Sequence, residues 1–154
     1  MNATSGPGEL LGIGAASARA GVTERALRYY QQLGLLTPAE CTTGGMRRYS
    51  EDDLARVERI RQLQTLLGLD LDEVAAVLRS EDRLAEIKRT WSDDGTSDTE
   101  RLAMALESLG LLQDLRATVK AKQRAINGFL ADLDARIGRS ADWLARQTAD
   151  SKQR

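Results

Sequence analysis

The chain has 154 residues, 42% of them apolar and 29% charged, and a net charge of -1. This balance excludes a disordered chain, and no apolar run approaches the roughly 18 residues of a membrane span, so no membrane partner is expected. With Cys41 as the single cysteine and no histidine, an internal disulfide, a histidine-based triad, a zinc finger and a histidine metal site are excluded; no metal, no cofactor and a reducing, cytoplasmic setting are expected.

Residues 1–9 carry neither the basic start nor the apolar core of a signal peptide and read as a disordered leader. Leu10 to Ile13 reads as a short strand or an extended lead-in, and Ala15 to Ala20 as a short helix ended by Gly21. Thr23 is a good N-cap for a helix that runs to Leu33 and stops at Gly34. Gly44-Gly45 signals a hairpin turn, with Met46 to Tyr49 as the returning strand. Ser50-Glu-Asp-Asp opens another helix, whose buried stripe is Leu54, Val57, Ile60 (or Arg61), Leu63 and Leu67; Gly68 ends it. Asp70-Leu-Asp-Glu73 starts a shorter helix to about Arg79, and Asp82 to Trp91 reads as one more.

The polar stretch Ser92-Asp-Asp-Gly-Thr-Ser-Asp-Thr99 divides the chain. Ser97 and Glu100 have capping-box spacing for a long helix to about Ile137. In it Ala105, Leu112, Val119, Ile126 and Leu133 recur every seven residues, with Leu115 and Phe129 at two intervening positions. Such a helix, about 60 Å long at 1.5 Å per residue, outruns a small domain and calls for a partner helix, most simply its own copy. The expected organisation is mainly α: an N-terminal region of short elements over residues 10–79, a linker with a short helix over 80–97, a coiled-coil-like dimerisation helix over 98–137 with Leu112, Val119, Ile126 and Leu133 in its seam, and a C-terminal tail over 138–154.

The helix after Thr23 sorts into two faces. Ala26, Leu27, Tyr30 and Leu33 form an apolar side; Arg25, Arg28, Tyr29 and Gln32 form the other. Arginine bonds phosphates or reads guanine, glutamine reads adenine, and tyrosine donates to phosphate, so the second face suits a DNA groove. Between Gly14 and Tyr49 five arginines stand against two glutamates, a basic region hidden in a near-neutral total. Two short helices joined at Gly21-Val22 make a helix-turn-helix, and the hairpin that carries Arg47 and Arg48 can act as a wing on the phosphates.

These elements resemble the MerR family of bacterial transcription regulators: Ile13 to Val22, Leu27-Arg-Tyr-Tyr30, Leu33-Gly-Leu-Leu36, Gly44-Gly45-x-Arg47-x-Tyr49-Ser-Glu-Asp-Asp-Leu54 and Leu67-Gly-x-x-Leu-x-Glu-Val74, about Leu11 to Leu78 in all. The resemblance implies a winged helix-turn-helix domain followed by a long dimerisation helix. It also implies a homodimer on a pseudo-palindromic element of double-stranded DNA, often acting with RNA polymerase by bending and untwisting the promoter spacer. It places Thr23, Arg25, Arg28, Tyr29 and Tyr30 on the recognition helix and Arg47 on the wing. Met46 stands where the family often has tyrosine, and Gln31 where glutamate is common.

Metal-sensing relatives carry cysteines around the dimer helix; this chain has none there, so a thiolate metal sensor is not expected. Trp91 and Trp143 either line a pocket for a small organic effector or pack the C-terminal segment onto the long helix. Gly12-Ile13-Gly14-Ala-Ala-Ser17 only partly imitates a dinucleotide fingerprint, with Ser17 at its third glycine, and no enzyme is expected. The alternative is an excisionase-like architectural DNA-binding protein without effector response, which shares the winged module but has little need of so long a helix.

Overall fold

A computed structural model of the protein describes residues 10–92 and 95–152, with side chains as far as Ala149. The leader expected over residues 1–9 lies outside them. The chain divides into two compact units, Met1–Asp93 and Asp94–Arg154, a boundary inside the polar stretch expected to separate them.

In the first unit β1 (Leu11–Gly12) leads into α1 (Ile13–Ala20), a tight turn and α2 (Glu24–Gln32). Gly21 takes a left-handed φ of 64°, and the amides of Gly21 and Val22 close back on Ala18 and Ser17, satisfying carbonyls left open at the helix end. Thr23 caps α2 by accepting from the Ala26 amide at 3.1 Å. At the other end Gly34 has φ 69°, and the amides of Gly34 and Leu35 return to Gln31 and Tyr30. Glycine suits both turns because a Cβ disfavours that backbone region.

The wing is formed by β2 (Glu40–Cys41) and β3 (Arg47–Tyr49). β3 is the central strand, antiparallel to both neighbours: Leu11 pairs with Tyr49 and Gly12 with Arg48, while Glu40 pairs with Arg48 and Cys41 with Arg47. The strand begins one residue later than expected, because Met46 still belongs to the turn. The Thr42 amide donates to its carbonyl, and its own amide donates to the Thr42 hydroxyl.

Helix α3 (Glu51–Leu67) starts in a full capping box between Ser50 and Asp53. Leu54, Val57, Ile60 and Leu63 are buried; their spacing keeps one stripe inward, with Ile60 rather than Arg61 on it. The core joins this stripe to Ala16, Leu27, Tyr49, Val74 and Leu78.

The last two helices also differ from expectation. Helix α4 (Leu71–Trp91) is one 21-residue helix, not two short ones. No glycine or proline interrupts it, the stripe Val74, Val77, Leu78 and Ile87 stays buried, and α3 grips its middle. Arg56 pairs with Asp82 at 2.5 and 2.8 Å, and Arg59 pairs with Glu81. Residues 80–91 therefore belong to the first unit rather than to a linker.

Helix α5 (Asp98–Lys152) has 55 residues and continues through the expected end at Ile137, so Gly138 to Lys152 is not a separate tail. A single glycine costs about 1 kcal/mol relative to alanine, too little to break a helix among strong helix formers such as Ala141, Leu144, Ala145 and Arg146. Along α5, Leu112, Val119 and Ile126 are exposed and Leu133 half-buried.

Candidate nucleic-acid interface

The side chain of Thr23 is committed to the α2 cap, which fixes where the helix begins. From that start Arg25, Arg28, Tyr29 and Gln32 fall on the outer face. With Thr23 and Ala26 they line a surface depression of about 750 Å³. The two adjacent tyrosines part company. Tyr29 is 49% exposed, whereas Tyr30 is 8% exposed and turns into the core. There its hydroxyl donates to Gln64 at 3.4 Å. Burial raises the Tyr30 phenol above its ordinary value, partly opposed by the nearby Arg61 charge. Tyr30 thus ties α2 to α3, and the outward set is Thr23, Arg25, Arg28, Tyr29 and Gln32.

A second depression, of about 400 Å³, lies between the helix and the wing and is lined by Gly12, Ile13, Arg28 and Gly45 to Arg48. Arg28 borders both depressions, so helix face and wing form one continuous basic surface. Its guanidinium is steadied by Glu24, one turn earlier, at 3.2 Å. Arg25, Arg47 and Arg48 make no ion pair with any described residue. By contrast Arg19 is bound by Glu51 at 2.6 Å, and Arg56 and Arg59 are held by α4. Cations without internal partners are available to an anionic ligand, and several on one face focus the field there.

Three further residues hold this surface in place. Gln31 donates to the Tyr49 hydroxyl at 2.7 Å, linking α2 to β3. Tyr49 is 1% exposed. Burial pushes its phenol up, while the Gln31 bond and the charges of Arg47 and Arg28 pull it down. Arg61 reaches from α3 to the last carbonyl of α1, donating to Ala20 at 2.8 Å. Alternation along β3 hints at Tyr49, which shares a face with Arg47; nothing local singles out Gln31 or Arg61, because their partners are distant in sequence.

Cys41 is exposed on β2. Trp91 is exposed at the end of α4 in the first unit. Trp143 lies on α5, exposed beside Arg136, Arg139, Ser140 and Leu144.

The family described as MerR HTH family regulatory protein matches residues 11–81. Among relatives, the mercuric resistance operon regulatory protein of Shigella flexneri is 32% identical over 130 residues, 84% of this chain and 81% of that protein. The HTH-type transcriptional regulator YfmP of Bacillus subtilis is 29% identical over 134 residues, 86% of this chain and 94% of its own. A crystal structure of a MerR family transcriptional regulator from Listeria monocytogenes shares the fold, with a TM-score of 0.58 over 93% of this chain and 95% of that one at 23% identity. The outward arginines on a capped second helix, the basic wing beside them and these relationships agree: the chain belongs to the MerR family of DNA-binding transcriptional regulators.

Proposed function

We propose that the protein works as a homodimer on a pseudo-palindromic promoter element, where it distorts the spacer and so changes how RNA polymerase engages the promoter. The observation that carries this reading is the continuous surface joining Arg25, Arg28, Tyr29 and Gln32 on α2 to Arg47 and Arg48 on the wing. In it, α2 enters the major groove and Arg28 and Gln32 meet base edges, while the wing arginines bind phosphates. Membership of a DNA-binding family supports the same assignment, and no helix among the described residues is long and apolar enough to cross a membrane. Acting on promoter DNA, the protein works in the cytoplasm and performs no catalysis.

The second half of the reading rests on α5. Its exposed row of Leu112, Val119 and Ile126, continued by the half-buried Leu133, repeats every seven residues and suits a second copy of the same helix. A two-fold pair presents two recognition helices to two half-sites. An architectural protein of the excisionase type has no use for a helix of 55 residues, which favours the regulator.

The effector, where one acts, is a small organic molecule engaging Trp91 or Trp143 rather than a thiophilic metal. Relatives are named for mercuric resistance, yet this chain has only Cys41, exposed on the wing strand, and one thiolate is a poor soft-metal site. Footprinting of the purified protein on the DNA upstream of its own coding sequence tests the proposal. Two protected half-sites straddling a promoter spacer are expected; uniform, unprotected cleavage would refute it.

A further inference from the structure

The helix face and the wing act together only if their spacing is held. The backbone holds part of it: β1 contributes two paired residues, Leu11 and Gly12. At the base of the hairpin, Asp53 accepts from the amides of both Ser50 and Ala39, at 2.8 and 2.9 Å, pinning the chain after β3 and before β2. Neither contact reaches α2. Among the described residues, the hydrogen bond that joins the wing directly to α2 runs from Gln31 to Tyr49 at 2.7 Å.

Its placement is informative. Gln31 lies three residues after Arg28 and so flanks it on the helix surface. Tyr49 lies two residues after Arg47 and shares its strand face. The bond therefore completes a bridge, Arg28–Gln31–Tyr49–Arg47, from a residue suited to base edges to one suited to phosphates. The buried ring of Tyr49 is fixed by the core, so its hydroxyl is a stationary point against which α2 is set.

We infer that the Gln31–Tyr49 hydrogen bond is a strut that sets the wing arginines at a fixed distance from the recognition helix. Gln31 and Tyr49 are then positioning residues for DNA binding, acting through the wing arginines Arg47 and Arg48. The inference rests on the proposed groove-and-wing docking.

The test uses full-length protein and the duplex protected in the footprint, with affinity measured across a salt series. Tyr49→Phe keeps the buried ring and deletes the hydroxyl; Gln31→Ala removes the same bond from the half-buried side. Each is expected to weaken binding about fivefold, as for one lost hydrogen bond of modest net value. The logarithmic salt dependence becomes shallower by about 0.9 for each phosphate contact the displaced wing gives up. Both changes together cost no more than either alone, and Gln31→Glu retains affinity because its carboxylate can accept from the Tyr49 hydroxyl. In protein already carrying Arg47→Ala and Arg48→Ala, Tyr49→Phe has no further effect, an outcome that a general loss of stability would not produce. Unchanged affinity in both single variants overturns the strut, as does an equal loss in the background that lacks Arg47 and Arg48. A wild-type protein with no preference for the footprinted duplex overturns the docking on which the strut depends.

Discussion

Arg28 and Arg47 lie on one surface, yet the proposed docking gives them different duties. A base contact carries sequence information; a phosphate contact does not. Arg28→Ala is therefore expected to cost about 1–3 kcal/mol on the cognate site and to relax specificity at one base position. Arg47→Ala is expected to weaken binding to cognate and random duplexes alike and to reduce the salt slope by about 1. A binding series on both duplexes separates the two; equal behaviour of the two variants would contradict the assignment. Tyr30 and Tyr49 make a further prediction. Burial raises both phenols above their ordinary value, so the folded state holds these protons more firmly than the unfolded chain. Their contribution is intact below the unfolded value near 10 and falls as pH rises toward the folded values. An alkaline denaturation series should show stability declining above about pH 10, with less decline in Tyr30→Phe; an equal decline in that variant would contradict it.

Among the elements, those governed by local chemistry are the ones that sequence makes visible. Ser50 and Asp53, and Asp70 and Glu73, form reciprocal capping boxes at the expected helix starts, and Gly21, Gly34 and Gly68 turn with positive φ at the expected ends. Ser50→Ala is expected to lower stability by about 1 kcal/mol in chemical denaturation. The unity of α4 was not legible, because Arg56–Asp82 and Arg59–Glu81 bind residues far apart in sequence. The extent of α5 was not legible, because the apolar pattern fades near Ile137 while the helix itself runs on to Lys152. A Cβ at Gly138 meets nothing within 4 Å. Gly138→Ala is thus expected to raise stability by up to about 1 kcal/mol without altering DNA affinity; an unchanged or lowered denaturation midpoint would contradict that. At the interface, the outward set on α2 was readable from helical periodicity, since it needs only one element. The Gln31–Tyr49 and Arg61–Ala20 contacts were not, since each joins elements whose approach is decided by the whole core.

For the whole molecule the row along α5 is the decisive feature. An exposed apolar stripe of this length is a poor surface in water and a good seam. Replacing Leu112 and Ile126 with aspartate should yield a single-chain species in sedimentation and a loss of DNA affinity of at least about a hundredfold, because each half-site then binds without the help of its tethered neighbour. Retained pairing in that variant would move the seam elsewhere. The most direct measurement is the mass of the complex between the wild-type protein and the footprinted duplex. Two chains on one duplex are expected, with protection falling in two symmetric half-sites about one helical turn apart or a multiple of it. One chain per duplex, protecting a single undivided site, would contradict it.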